Sequence, residues 1–263
     1  MIYLKTPSEV EKMRRSSQII GSLLDSLEAI IKPGVNTLEL DEYAEQFIRS
    51  RGGIPSFKGY QIPGLKPFPG SICASVNEAI VHGIPRRDLI LQEGDIIGID
   101  VGVLLDGYHG DAARSYRVGK VSMAAEKLLS ITEKSLYIGI AAAIPGNRIG
   151  DISHAIGSFI AASGYFVADG LTGHGIGKSL HEEPQIPNIG RAGRGPRIAA
   201  GMTFAIEPMV NIGTNHVVEQ GWEFKVADNT LSAHYEHTIL VTDGEPEILS
   251  AAPKAALHEE KHI

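Results

Sequence analysis

The chain has 263 residues, 43% hydrophobic and 21% charged, which gives enough apolar material for a large core and excludes intrinsic disorder. Its net charge of -7 leaves no basic footprint for nucleic acid or an anionic membrane. Cys73 is the one cysteine, which excludes an internal disulfide and a cysteine-ligated zinc finger and makes a reducing cytoplasm the expected setting.

The opening MIYLKTPSEVEKMRR has no apolar run behind a basic start, so no signal peptide is expected. Val10, Met13, Ile19, Leu23, Leu27, Ile30 and Ile31 recur at helical spacing and predict a helix over residues 7–31, ended by Pro33 and Gly34. A second helix starts at Thr37, carries Leu38, Ala44, Phe47 and Ile48 on one side, and stops at Gly52 and Gly53. Residues 54–70, rich in Gly and Pro, are expected to be an ordered loop, with strands near 71–76, 95–104 and 110–118. Helices over 122–143 and 149–163 follow, separated by Pro145 and Gly146 and ended by Gly164. The longest apolar stretch, Ile138 to Ile144, is far too short to span a bilayer.

This order is a repeat. Pro33-Gly34 returns as Pro145-Gly146, Ile48 as Ile160 and Gly52 as Gly164, each at an offset of 112. Gly94-Asp-Ile-Ile-Gly-Ile-Asp100 returns as Gly201-Met-Thr-Phe-Ala-Ile-Glu207, at an offset of 107. The expectation is an α+β fold of two helix–helix–strand halves about a pseudo-two-fold axis, with an antiparallel sheet covered by helices. Residues 1–250 are expected to form a single catalytic domain and the charged tail from Ala251 to Ile263 to fray.

The first strand pair carries the chemistry. Residues 96–103 and 110–116 suggest a hairpin with its turn at Leu104–Gly107. The midpoint of positions 100 and 111, at 105.5, lies in that turn, so Asp100 is expected directly opposite Asp111. Ile97, Ile99, Val101 and Val103 take the other face. Two facing, partly buried carboxylates require a shared proton or a cation, unless they are simply exposed on a polar face. The repeat brings Glu207 toward Asp100, and Glu236 lies on the strand-like run Tyr235–Val241. Four converging carboxylates favour the cation.

Most of the ten histidines fit a solvated or structural role: His154 on a helix, His216 in a loop, His258 and His262 in the tail. His174 stands between glycines, which let its ring approach a crowded site. His82 and His181 fit hydrogen-bonding roles beside it. Four carboxylates and one imidazole suit two divalent cations that acidify water and polarise a carbonyl, the chemistry of amide hydrolysis.

In chain order, Ser75-Val-Asn-Glu-Ala-Ile-Val-His-Gly-Ile-Pro85, Ile99-Asp-Val-Gly102, His109-Gly-Asp111, Gly173-His-Gly-Ile-Gly177, His181-Glu-Glu-Pro184, Phe204-Ala-Ile-Glu-Pro208 and Glu236-His-Thr238 resemble the type I methionine aminopeptidases. The resemblance implies the pita-bread fold and removal of the initiator methionine from nascent polypeptides whose second residue is small. It implies two divalent ions (Co, Mn, Fe or Zn) on Asp100, Asp111, His174, Glu207 and Glu236, with Asp111 and Glu236 bridging. Glu207 would also shuttle a proton, His82 would assist the leaving amine, and His181 would steady the scissile carbonyl. The methionine pocket would draw on Tyr60, Phe68, Cys73, Leu180 and Trp222, although Cys73 and Trp222 also suit ordinary core packing. Nascent N-termini and the ribosome are the implied partners of a monomer with no nucleic-acid or membrane contact of its own. Gln61–Pro67 departs from the family pattern as an insertion, Leu180 stands where Phe is common, and His234 replaces a more usual polar residue. The alternatives are an Xaa-Pro peptidase of the same fold and a non-enzymatic peptide-binding module.

Overall fold

The computed structural model describes residues 1–252. Its helices, α1 (Pro7–Glu28), α2 (Thr37–Ser50), α3 (Met123–Ala142) and α4 (Ile149–Ala162), stand where the periodicity places them. The strands are β1 (Ile54–Pro55), β2 (Cys73–Val76), β3 (Ala79–Val81), β4 (Ile96–Leu105), β5 (Tyr108–Arg117), β6 (Phe166–Val167), β7 (Thr172–Gly175), β8 (Glu182–Pro187), β9 (Thr203–Ile206), β10 (Met209–Asn211), β11 (Val217–Gln220), β12 (Glu223–Val226), β13 (Ser232–His234), β14 (His237–Leu240) and β15 (Glu247–Ile248). Most of the tail, including His258 and His262, lies outside the described residues. Among the described residues no helix is long and apolar enough to cross a membrane.

All strand pairs are antiparallel, divided into four hydrogen-bonded sheets rather than one continuous sheet: β1-β4-β2 with β5 on β4, β13-β10-β6, β11-β12-β3, and β15-β14-β9-β7-β8. The duplication is visible in the backbone. Gly34, Gly52 and Gly94 have φ of 92°, 76° and 96°, and their counterparts Gly146, Gly164 and Gly201 have 96°, 81° and 89°. Gly34 N donates to Leu91 O, and Gly146 N donates to Ile198 O. The bridge Asn36↔Ile90 returns as Arg148↔Arg197, and Ile54↔Leu104 returns as Phe166↔Asn211.

Each half builds its own core. Ile20, Leu23 and Leu24 of α1 join Ile97, Ile99, Val101 and Val103 of β4 in one buried cluster. Ile152 and Ile156 of α4 join Phe204, Ile206 and Ile239 in another. Such side chains contribute roughly 1.5–3 kcal/mol each when buried. Because strand residues alternate between faces, this packing uses one face of β4 and β9 and leaves the other for polar side chains.

The first hairpin corrects the expected register. β4 and β5 pair from Ile96↔Arg117 to Leu105↔Tyr108, so the turn is Asp106-Gly107, with φ of 51° and 80°. This two-residue turn matches the strand twist. Its centre is one residue later than expected, so Asp100 faces Ala113 and Asp111 faces Gly102. The two aspartates are diagonal neighbours rather than an opposed pair. They keep a common face, because moving the turn centre by one residue shifts partners by two.

Gly110, on the helix side of β5, lets α1 settle against the strand. A Cβ there would lie 2.5 Å from Ser17 Oγ and 2.9 Å from Ser17 Cα. Gly110→Ala is expected to cost about 2 kcal/mol, as overpacking does, and to lower the midpoint of thermal unfolding by several degrees. At the start of α1, Glu9 accepts hydrogen bonds from Tyr108 Oη (2.6 Å), Thr6 N (2.9 Å) and Thr6 Oγ1 (2.9 Å). Those bonds, Tyr108's first, lower its pKa from 4.5 to about 2. Stability from this ionised carboxylate is therefore complete above pH 4.5 and is lost as the pH falls toward 2. Unfolding curves of the parent and Glu9→Gln are expected to differ at pH 6 and to converge near pH 2.

Candidate metal centre

The candidate centre lies on a seam between the halves. Ala113 N donates to Glu236 O, and Glu236 N donates to Ala113 O. Two residues along, Asp111 N donates to Thr238 Oγ1, which returns a bond to Asp111 O. Ser115 Oγ donates to His234 O and accepts from His234 N. This ladder sets β5 beside residues 234–238 and aligns Asp100, Ala113 and Glu236 across neighbouring strands.

Glu207 follows β9, and Glu236 precedes β14 instead of lying inside a strand over 235–241. Ile206 pairs with His237, so Glu207 and Glu236 would form the next pair where the ladder opens. His174 pairs with Ala205, two residues before Glu207 and on the same face. A Cβ on Gly173 or Gly175 would collide with the carbonyl oxygen of Ala205 or Glu183, so these glycines permit the close approach of β7.

The geometry is tight. His174 Nε2 lies 3.5 Å from Glu207 Oε1 and 4.0 Å from Asp111 Oδ2. Asp111, His174 and Glu236 each offer a donor atom within 4.8 Å of the other two. His174 Nδ1 pairs with Gly175 O at 2.8 Å, so with the proton on Nδ1 the lone pair of Nε2 faces the carboxylates. Asp100 Oδ1, Asp111 Oδ1 and Glu236 Oε1 are buried with no hydrogen-bond partner.

Burial raises the Asp100 pKa to about 7, partly offset by hydrogen bonds from Asp111 and Cys73. Asp111 is pushed well above the carboxylate range by burial, then by Glu236 and Asp100. Glu207 is raised by burial and by Asp100 and Asp111, and Glu236 by burial and by Glu207 and Asp100. Hard oxygen donors, one imidazole and orphaned buried oxygens fit divalent cations.

Every predicted site residue borders one cavity of about 290 Å³. Beyond the five donors, the His181 ring packs edge-on against His174, with centroids 4.5 Å apart, and its Nδ1 pairs with Tyr60 Oη at 2.9 Å. His82 follows β3 at a left-handed φ of 58°, stacks on Phe224, and has Nδ1 buried without a partner. Burial, then the charge of His181, lowers the His82 pKa to about 4. Burial also lowers that of His181, although one side of this residue is open to solvent. Phe68 and Trp222 stack edge-to-face at 5.4 Å. Cys73 is buried, and burial followed by nearby carboxylates pushes its thiol pKa up, so it serves as a neutral, apolar wall.

The structure adds residues that the sequence did not assign. His234 is 3% exposed, and its Nε2, which has no partner, lies 3.7 Å from Glu207 Oε2. Glu207 is thus flanked by His174 at one oxygen and His234 at the other. The available signal was parity, since His234 lies two residues before Glu236. Lys5 Nζ forms a 2.6 Å ion pair with Glu182, next to His181, with both side chains nearly buried. No local pattern announces a pair 177 residues apart. Phe57, Ile62, Val81, Leu171 and Met209 also border the cavity.

A sequence model of metallopeptidase family M24 matches residues 11–243. The chain is 48% identical over 252 residues to a methionine aminopeptidase of Clostridium acetobutylicum, covering 95% of this chain and 99% of that protein. It is 47% identical to methionine aminopeptidase 1 of Bacillus subtilis, with the same coverage. Among solved structures, methionine aminopeptidase from Rickettsia prowazekii matches with a TM-score of 0.92 at 39% identity, covering 95% and 100% of the two chains. Prolidase from Pyrococcus furiosus, with a TM-score of 0.77 at 21% identity over 95% of this chain and 66% of that one, shares the fold alone. The duplicated architecture is the pita-bread fold. With relatives near half identity along their whole length and a family model spanning nearly all the described residues, the chain belongs to metallopeptidase family M24.

Proposed function

We propose that the protein removes the N-terminal methionine from polypeptides whose second residue is small. The observation that carries this reading is that one cavity joins the carboxylate–imidazole cluster to an apolar floor. Phe68, Cys73, Leu180 and Trp222 are each less than 9% exposed, which suits a terminal side chain that enters and goes no further. Aromatic rings and a thiol suit the flexible thioether of methionine. The full-length relatives carry the name methionine aminopeptidase.

Asp100, Asp111, His174, Glu207 and Glu236 would hold two divalent cations, drawn from Co, Mn, Fe and Zn. When bound, such a pair supplies Lewis-acid activation of water and of the scissile carbonyl. The remaining steps belong to side chains. Tyr60 orients His181 through Nδ1, which leaves Nε2 to hydrogen-bond the scissile carbonyl oxygen. His82, kept neutral by its burial, accompanies the leaving amine. Glu207 takes a proton from water and returns it to that amine. Nascent chains, and through them the ribosome, are the implied partners of a cytoplasmic monomer, in keeping with the single buried cysteine.

Titration of chelated protein with Co or Mn in a calorimeter is expected to show two ions per chain and to restore hydrolysis of Met-Gly-x peptides. Asp111→Asn is expected to lose at least one of those binding events and about 100-fold or more in kcat, which is about 3 kcal/mol or more of lost charge stabilisation, with its fold kept by circular dichroism. Full turnover by metal-free protein would sink this reading.

A further inference from the structure

Gln61–Pro67, the stretch that departs from the family pattern, has no role in the scheme above. Its conformation is braced at three places. At the neck, Gly59 N donates to Phe68 O at 2.8 Å and Phe68 N to Tyr60 O at 2.9 Å. At the tip, Leu65 N donates to Ile62 O at 3.2 Å across Pro63 and Gly64, and Gly64 has φ of 90°. Pro at the second position and a left-handed Gly at the third are the requirements of a type II β-turn. On the outer arm, Trp222 Nε1 donates to Lys66 O at 2.8 Å. Leu65 packs against the apolar cluster that contains Phe68, Leu180 and Trp222. Pro63 and Pro67 fix two more backbone angles. This loop is therefore a fixed bar between two walls of the cavity, and what it presents stays in place at little entropic cost.

It presents Ile62. This side chain borders the cavity yet is 42% exposed, whereas Phe68, Cys73, Leu180 and Trp222 are 3–8% exposed. The gradient puts Ile62 at the mouth and the other four at the floor. A peptide whose methionine fills the floor has its second residue at the mouth.

We propose that Ile62 is a specificity-determining residue, the wall that limits the size of the substrate's second side chain. The assignment rests on the methionine-removal reading. Gly or Ala at that position passes beside the Ile62 side chain, and a β-branched residue meets it. Because the loop is held at its neck, tip and outer arm, Ile62 cannot retreat without giving up a hydrogen bond.

The test compares kcat/KM for Met-Gly-x and Met-Val-x peptides in the Co- or Mn-loaded parent, Ile62→Gly and Ile62→Trp, with thermal unfolding to check each fold. The preference for Met-Gly-x over Met-Val-x is expected to fall about tenfold in Ile62→Gly, the scale of losing a few methylene contacts, and to rise in Ile62→Trp. Opposite shifts separate a wall from a loosened loop, since loosening relaxes the preference in both variants. A parent that cleaves Met-Gly-x, with the preference unmoved in both variants or relaxed in both, overturns the assignment and leaves the functional reading standing. A loaded parent that cleaves no Met-Gly-x overturns the functional reading, and the assignment falls with it.

Discussion

The structure turns on the repulsion of four carboxylates that the backbone will not let apart. Asp100 and Asp111 are fixed by the β4–β5 ladder, and Glu207 and Glu236 by the opening of the β9–β14 ladder. Seam hydrogen bonds between β5 and residues 234–238 lock the two pairs together. Removing these groups from water costs several kcal/mol per charge, and their proximity adds to that cost. Orphaned oxygens on three of them show that protein donors do not settle the debt. Protonation or cations remain, and the orientation of His174, with Nδ1 tied to Gly175 O, favours cations, because it aims a lone pair rather than a proton at the acids.

The duplication explains how one chain supplies such a cluster. Each half buries the apolar face of its strands under its own helix pair, so core packing is complete without the polar face. The polar faces then meet across the pseudo-two-fold axis. Asp100 and Glu207, equivalent in the repeat, reach the same space from opposite sides. Symmetry accounts for these two. The hairpin and the strand break add Asp111 and Glu236, which have no such equivalence. The site is thus only half symmetric, with one imidazole among its donors rather than two.

Much of this was legible in the sequence for physical reasons. Helical period and Pro-Gly breaks mark the four helices, because both act locally. The matching glycine pairs mark the repeat, because each sits at a positive φ that few other residues tolerate. The hairpin turn is centred one residue later than the spacing predicts, which shifts the strand partners by two. Asp106 takes a positive φ beside Gly107, and Leu104-Leu105 extends β4 into the predicted turn. Asp100 and Asp111 still shared a face, since parity survives such a shift. The breaks after Ile206 and before His237 stayed hidden, because a run of apolar residues does not show where its ladder opens. The Lys5–Glu182 pair is a tertiary contact across 177 residues, for which no local signal exists, and His234 offers only the parity of its spacing from Glu236.

The fold also divides rigidity between two tasks. The donors lie in paired strands or directly beside them, and such elements place side chains more precisely than loops do. The apolar floor comes from more varied places: Cys73 from β2, Leu180 from a loop, and Trp222 from the β11–β12 turn. Those parts are stiffened by particular bonds, such as the Trp222 indole on Lys66 O and the Tyr60 hydroxyl on His181. The division is incomplete, because Cys73 pairs with Asp100 in the β2–β4 ladder, whereas Phe68, Leu180 and Trp222 lie outside the strands. One cavity thus joins the donor cluster to the apolar walls through two links, Cys73 beside Asp100 and the Tyr60 hydroxyl on the His181 ring, while Leu180 and Trp222, held apart from the ladders, are the wall positions freest to vary.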